Sequence, residues 1–169
     1  MAEIHWKTVN EIVEEKKQDL SVLAINVFGS LARGGEGPDS DIDLEIISLT
    51  EPEWKMAEEE RNGLVVDFVY TPKEFILNKV KNYPYLSYVH ITEKIVYDSE
   101  GFMADIQKQL NNYFSEHPKV LEFWDKKIAL MRDEKAKGIK NPEGGIKAYD
   151  EAEILFSESH TITRNFWRS

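Results

Sequence analysis

The chain has 169 residues, of which 41% are hydrophobic and 31% charged, and a formal net charge of −10 at pH 7, the composition of an ordinary globular protein and not of a disordered or collagenous one. Cysteine is absent, which excludes disulfides, thiolate metal sites, iron–sulfur clusters and cysteine nucleophiles. Residues 1–100 hold 20 acidic and 10 basic side chains whereas residues 101–169 hold 11 of each, so the acidity belongs to the first part, where it disfavours nonspecific binding to nucleic acid or anionic lipid and suits divalent cations or a cationic partner.

Met1-Ala2-Glu3-Ile4-His5-Trp6 carries neither a basic stretch nor an apolar run, and no segment reaches the roughly 18 apolar residues of a membrane span, so an unprocessed cytoplasmic protein is expected. Glu3 to Gln18 reads as an amphipathic helix, with Ile4, Val9, Ile12 and Val13 on one side. The period then changes. Ser21 to Phe28 is a short apolar, β-branched run ending at Gly29, which reads as a buried strand. Gly34 to Ser40 is a loop, followed by a strand from Ile42 to Ile47.

Thr50 and Glu53 offer a capping box, but Asn62-Gly63 is a strong hairpin turn, and the favoured reading pairs Trp54–Arg61 antiparallel with Leu64–Tyr70. Thr71-Pro72-Lys73-Glu74 caps a helix that ends before Pro84. Ile91–Tyr97 reads as a strand, and Asp98-Ser99 opens a helix to about Phe114. A helix over Pro118–Lys137 stops at Gly138, Asn141 to Gly145 forms a linker, and Ile146–Trp167 is a last helix. The fold class expected is α+β: a small mixed sheet with helices over residues 1–100, followed by an α-helical C-terminal region over 101–169.

The informative stretch runs from Val27 to Leu44. A strand ends at Gly29, where backbone can approach a ligand closely, and Ser30 begins a short helix whose amides suit an anion. Asp41 and Asp43 sit at alternate positions opening a strand, so both carboxylates project from one face while Ile42 and Leu44 enter the core. Two carboxylates facing one way repel, and a divalent cation of Mg²⁺ type between them explains the pair. Asp67 interrupts the apolar run Leu64–Tyr70 and is costly there unless paired, hydrated or metal-bound. A strand placed beside Ile42–Ile47 would bring it to the same cluster, able to hold two metals for in-line attack at phosphorus.

Gly29-Ser30, a spacer, Asp41-x-Asp43 and a later Asp67 together resemble the signature of nucleotidyltransferases of the DNA polymerase beta-like superfamily. The likeness is greater to the aminoglycoside (kanamycin-type) and minimal nucleotidyltransferases, and extends from about Ala24 to Gln107, including Gly37-Pro38-x-Ser40-Asp41-Ile42 and Tyr97-Asp98-Ser99. The resemblance implies that Gly29 and Ser30 hold the β- and γ-phosphates of a nucleoside triphosphate. It implies that Asp41, Asp43 and Asp67 hold Mg²⁺, two ions in all, and that Asp67 can accept the proton of the attacking hydroxyl. An acceptor hydroxyl then attacks the α-phosphorus and pyrophosphate leaves. Arg33 is a candidate phosphate contact, against the alternative of a surface ion pair. The aminoglycoside enzymes add a glutamate and a lysine from a helical domain; Glu151, Glu153 and Lys147 lie in the last helix, but no motif matches them.

Rival readings are weaker. Leu44 and Thr50 occupy the sixth and twelfth positions of a calcium loop counted from Asp39, where glycine and glutamate are needed. His5, His90, His117 and His160 show no metal-ligand spacing and read as structural or surface groups, and Glu45 reads as a neighbour of the metal site or a solvated edge residue. Trp54, Trp124 and Trp167 read as core or interface. The expectation is therefore Mg²⁺-dependent transfer of a nucleoside monophosphate, AMP from ATP, to a hydroxyl of a small aminoglycoside-like acceptor. The alternative is an antitoxin that binds and adenylylates a HEPN-type toxin partner. Asn165-Phe166-Trp167 suggests apolar surface and a homodimer.

Overall fold

Five strands and the helices around them follow the change of hydrophobic period along the chain. The structure, a computed structural model, describes residues 3–35, 37–138 and 147–157. In chain order these form α1 (Glu3–Lys16), β1 (Val22–Phe28), α2 (Gly29–Arg33), β2 (Ile42–Ser48), β3 (Lys55–Arg61), β4 (Leu64–Pro72) and α3 (Lys73–Asn82). A 3₁₀ turn at Pro84–Leu86, α4 (Val89–Thr92), β5 (Lys94–Asp98), α5 (Phe102–Glu116), α6 (Pro118–Ala136) and α7 (residues 147–157) complete them. The α+β class expected from the sequence is the fold observed. Among the described residues no helix is long and apolar enough to cross a membrane.

The sheet has the order β3-β4-β2-β1-β5. Only β2 and β4 run parallel; β1 pairs antiparallel with both β2 and β5, and β3 with β4. The parallel pair arises because the chain leaves β2, forms β3 at the outer edge and returns as β4 between them. Asn62 and Gly63 make that return with φ of 53° and 76°, the two left-handed positions of a type I′ turn. Asn62 Nδ2 also donates to Thr8 Oγ1 and Glu11 Oε2 at 2.9 and 3.0 Å, tying the hairpin to α1. Edge strand β3 is exposed along almost its whole length and strongly charged, a composition that discourages pairing with another chain.

One face of the sheet is apolar. Ile25 and Val27 of β1, Ile42, Leu44 and Ile46 of β2, and Val66 and Phe68 of β4 cluster with Val9, Ile12 and Val13 of α1. Their burial, at roughly 1.5–3 kcal/mol per large side chain, holds α1 against the sheet. The opposite face presents Asn26, Asp43, Glu45, Asp67 and Thr71 by the alternation of the same strands. Polar groups thus collect on one face of a sheet whose other face is closed.

The chain divides into two compact units, Met1–Leu77 with Val89–Gln107, and Asn78–Tyr88 with Lys108–Ser169. The first contains the sheet. The second has its own core, with Tyr85, Leu110, Phe114, Val120, Trp124, Ala148 and Ala152 buried. Trp124 Nε1 donates to the Tyr85 carbonyl at 2.6 Å, and Tyr85 Oη to Glu153 Oε2 at 2.9 Å.

Three expectations shift. The strand expected from Ile91 begins at Lys94, because residues 89–92 close a helical turn in which Thr92 Oγ1 bonds the Val89 carbonyl at 2.8 Å. The helix expected from Asp98 begins at Phe102: Gly101 turns the chain at φ 71°, and the Asp98 carboxylate accepts from the amides of Met103 and Ala104 at 3.2 and 2.9 Å. Trp124 is buried, but Trp54, expected in a core or interface, is 47% exposed beside the edge strand. The linker Asn141–Gly145, Trp167, His160 and the end of the last expected helix lie outside the described residues.

Candidate active site

Asp43 and Asp67 are cross-strand partners in the parallel β2–β4 pair, and the register continues to Phe28 on β1 and Glu58 on β3. One row across the sheet therefore reads Phe28, Asp43, Asp67, Glu58, with neighbouring strands about 4.8 Å apart. Asp43 and Asp67 are half-buried and Glu58 is exposed. Carboxylates directly opposite one another destabilise a sheet, so the row is a local conflict of the kind that marks functional sites.

Gly29 begins α2 at the end of β1 with φ 70°. A Cβ there would overlap Asp43 Oδ2 and lie 3.1 Å from Asp43 Cγ. Glycine is thus required twice, by the left-handed backbone and by the carboxylate that fills the notch its missing side chain leaves. Ser30 follows half-buried in α2, while Arg33 is exposed in its last turn. Gly34, at φ 72°, closes the helix, and Gly35 N–H bonds the Ser30 carbonyl at 2.9 Å, a Schellman-type end.

The loop then turns through Gly37-Pro38-Asp39-Ser40. Ser40 N–H bonds the Gly37 carbonyl at 3.2 Å, and Gly37 N–H donates to Ser40 Oγ at 2.8 Å; proline at the second position suits this turn. Buried His5 of α1 donates its Nε2–H to the Ser40 carbonyl at 3.0 Å. That bond anchors the residue immediately before Asp41, which is exposed at the mouth of β2. The structure thus sets Asp43 against both Gly29 and Asp67, while Asp41 lies exposed two residues before Asp43 and Ser30 follows Gly29 in α2; Asp41, Asp43 and Asp67 do not close into a group of metal-ligand spacing. Lys147, Glu151 and Glu153 lie on α7 in the second unit, where Glu151 pairs with Lys127 at 2.8 Å.

One step further along β2 is a group the sequence left almost unread. Glu45, His90 and Glu93 are all buried and gathered within reach of one another. Burial, with Glu93 alongside, pushes the Glu45 carboxyl up to about 7. Of the two sequence readings of Glu45, its burial excludes a solvated edge residue, and its meeting with His90 and Glu93 leaves no local signal because Glu45 comes from a distant strand. A concavity of about 710 Å³ lies elsewhere, along α1 between Glu3 and Glu14, and none of the acidic-row residues lines it.

The comparisons agree with this architecture. Residues 7–127 match the nucleotidyltransferase domain family. No curated protein matches the chain. Among solved structures it is similar to a nucleotidyltransferase-like protein from Exiguobacterium sibiricum 255-15, at 13% identity and a TM-score of 0.51, over 93% of this chain and 65% of that one. This chain thus spans about two thirds of that protein's length, and the likeness is one of fold. With the family matched over most of its residues, the chain belongs to the nucleotidyltransferase domain family.

Proposed function

We propose that the chain transfers a nucleoside monophosphate, AMP from ATP, onto a hydroxyl of a small cationic acceptor of the aminoglycoside type. The observation that carries this reading is the Asp43–Asp67–Glu58 row with Asp43 lodged in the Gly29 notch. Asp41, Asp43 and Asp67 offer oxygen donors only, the set that Mg²⁺ takes, and they would hold one or two such ions. When bound, Mg²⁺ neutralises charge on the phosphates of the triphosphate.

The chain's own residues do the rest. Gly29 and Ser30 cradle the β- and γ-phosphates, where a side chain at position 29 would intrude. Arg33 offers its guanidinium to the same phosphates. Asp67 accepts the proton as the acceptor oxygen bonds to the α-phosphorus and the bond to the bridging oxygen of pyrophosphate breaks. Glu58, next in the row and exposed, gives an amino-bearing acceptor a counter-charge beside that base. Residues 1–100 carry the transfer chemistry in this reading, and 101–169 serve acceptor binding or a homodimer, for which the exposed Leu130, Ile154 and Leu155 provide apolar surface. The cytoplasm, where nucleoside triphosphates are abundant, suits the reaction.

The test is pyrophosphate release from each of the four nucleoside triphosphates with Mg²⁺, across acceptors that include aminoglycosides, for the wild type and for Asp41→Asn and Asp43→Asn. Release that needs both aspartates and one cationic acceptor supports the reading. Silence with every small acceptor, alongside metal-dependent ATP binding, overturns the small-molecule acceptor and turns the search to a protein target. Sedimentation at micromolar concentration checks the dimer.

A further inference from the structure

Glu45 lies on the same face of the sheet as Asp43, two residues further along β2, and is only 8% exposed; His90 and Glu93 are 3% and 6% exposed. His90 Nδ1 is 3.2 Å from Glu93 Oε2 and 3.8 Å from Glu45 Oε1. The three side chains each offer one ligating atom, all within 4.8 Å of one another. Neutral donors reach both carboxylates, Thr71 Oγ1 on Glu45 Oε2 at 2.9 Å and Asn26 Nδ2 at 3.0 Å on Glu93 Oε2, the same oxygen that faces His90. Glu45 Oε1, the oxygen turned toward His90, accepts no hydrogen bond, and neither does buried Asn26 Oδ1.

Two carboxyls and an imidazole packed this tightly are expensive to bury. A carboxylate removed from water costs several kcal/mol unless its charge is met, and the partners supplied by β1 and β4 are uncharged. An imidazolium would meet one negative charge; a divalent cation would meet two, and would also ligate the Glu45 oxygen that is turned toward His90. The donors differ from those of the acidic row. Two carboxylate oxygens and one imidazole nitrogen suit zinc or a similar first-row ion, whereas Mg²⁺ favours oxygen alone.

The surroundings are those of a supported metal site. Gln107 Nε2 donates to the carbonyls of His90 and Glu93 at 2.9 Å each, fixing the turn that carries both. Thr71 and Asn26 orient the carboxylates, as outer groups around metal ligands do. No ligand faces solvent, so a bound ion would have a structural role. It would tie β2 to the turn that leads into β5.

We propose that Glu45, His90 and Glu93 form a buried structural site for a divalent transition-metal ion, Zn²⁺ foremost, separate from the Mg²⁺ of the transfer reaction. The site does not depend on the acceptor or nucleotide assigned above.

The experiment uses the tag-free full chain carrying Asp41→Asn and Asp43→Asn, which removes donors of the acidic row. After chelator stripping it is dialysed against Zn²⁺ or Co²⁺ and the retained metal is counted. The expected result is about one ion per chain, as a single closed site requires, with Co²⁺ absorption bands that vanish on His90→Gln or Glu93→Gln. Zn²⁺ should also raise the thermal midpoint by at least ~5 °C, since a ligand that binds only the folded state stabilises it. If the substituted chains fail to fold, the ¹⁵N resonances of the His90 ring in the parent decide, and a large shift on adding Zn²⁺ supports the site. No retained ion, or retained ion with the His90 ring unmoved, overturns it.

Discussion

Asp43 and Asp67 face each other across the only parallel strand pair of the sheet, with Gly29 giving Asp43 the room it occupies. Like charges directly opposite one another in a sheet repel, and a cation between them relieves that repulsion. Two unit charges 5 Å apart interact by roughly 3 kcal/mol at an effective dielectric constant of 20, and partial exposure reduces this. Asp67→Asn should therefore raise the thermal midpoint in chelator by about 2–4 °C, for a gain near 1 kcal/mol, while lowering pyrophosphate release at least ~10³-fold, the scale of losing a transition-state electrostatic contact. Melting curves with and without Mg²⁺ check it: stabilisation by Mg²⁺ should shrink in the variant. A lower midpoint in chelator would make Asp67 a structural residue.

Gly29 and Gly34 bracket α2 with φ of 70° and 72°, yet their surroundings differ. A Cβ at Gly34 meets nothing within 4 Å, whereas at Gly29 it meets the Asp43 carboxylate. Both Gly→Ala changes carry the left-handed strain of roughly 1–2 kcal/mol. Only Gly29→Ala must also displace Asp43. Gly34→Ala should keep activity within about twofold and Gly29→Ala should lose it at least ~100-fold, a displaced catalytic group being costly even at 1 Å. Steady-state kinetics on the two variants, at matched stability loss, separate strain from geometry.

Glu58 and Glu59 are neighbours on β3 and point to opposite faces, Glu58 beside Asp67 and Glu59 paired with Arg61 at 3.0 Å. If the acceptor is cationic, Glu58→Gln should raise its KM by roughly 3–10-fold with kcat nearly unchanged, the mark of a binding contact made equally in ground and transition states. Glu59→Gln should leave both within about twofold, since an exposed ion pair contributes little. The Glu58 effect should fade as salt increases, which a KM series from 0.05 to about 0.5 M salt would show. An unchanged KM across amino-bearing acceptors would remove Glu58 from the acceptor site.

Much of this arrangement was legible because it is local. The strand from Val22 to Phe28, the Asn62-Gly63 turn and the Asp41-x-Asp43 alternation each announce themselves within a few residues. Asp67 stood out as a charge within an apolar run, and placing its strand beside β2 required only that the sheet extend. Glu58 was hidden, because β3 is charged along both faces and alternation there carries no contrast. Glu45 and His90 were hidden for another reason. Their meeting depends on α4, a four-residue turn whose sequence Val89-His90-Ile91-Thr92 reads as strand by composition, and on a tertiary contact spanning 45 residues. Local propensity loses there to packing.

His5 and Ser40 illustrate how a helix on the apolar side controls the loop of the acidic row. The His5 ring is fully buried and its Nε2–H holds the Ser40 carbonyl, one peptide unit before Asp41. His5→Phe keeps the ring volume and removes the donor, leaving a carbonyl without its partner at a cost of about 1–3 kcal/mol. The loop, supported otherwise by the Gly37–Ser40 turn, should then hold Asp41 less firmly at the start of β2. The expected outcome is a several-fold increase in the Mg²⁺ concentration needed for half-maximal activity, larger than any change in acceptor KM, because His5 acts through Asp41 and not on the acceptor. Faster amide exchange at residues 37–41, measured against unchanged exchange in β1, would place the effect in the loop; equal loss of protection throughout the sheet would show that His5 supports only the core.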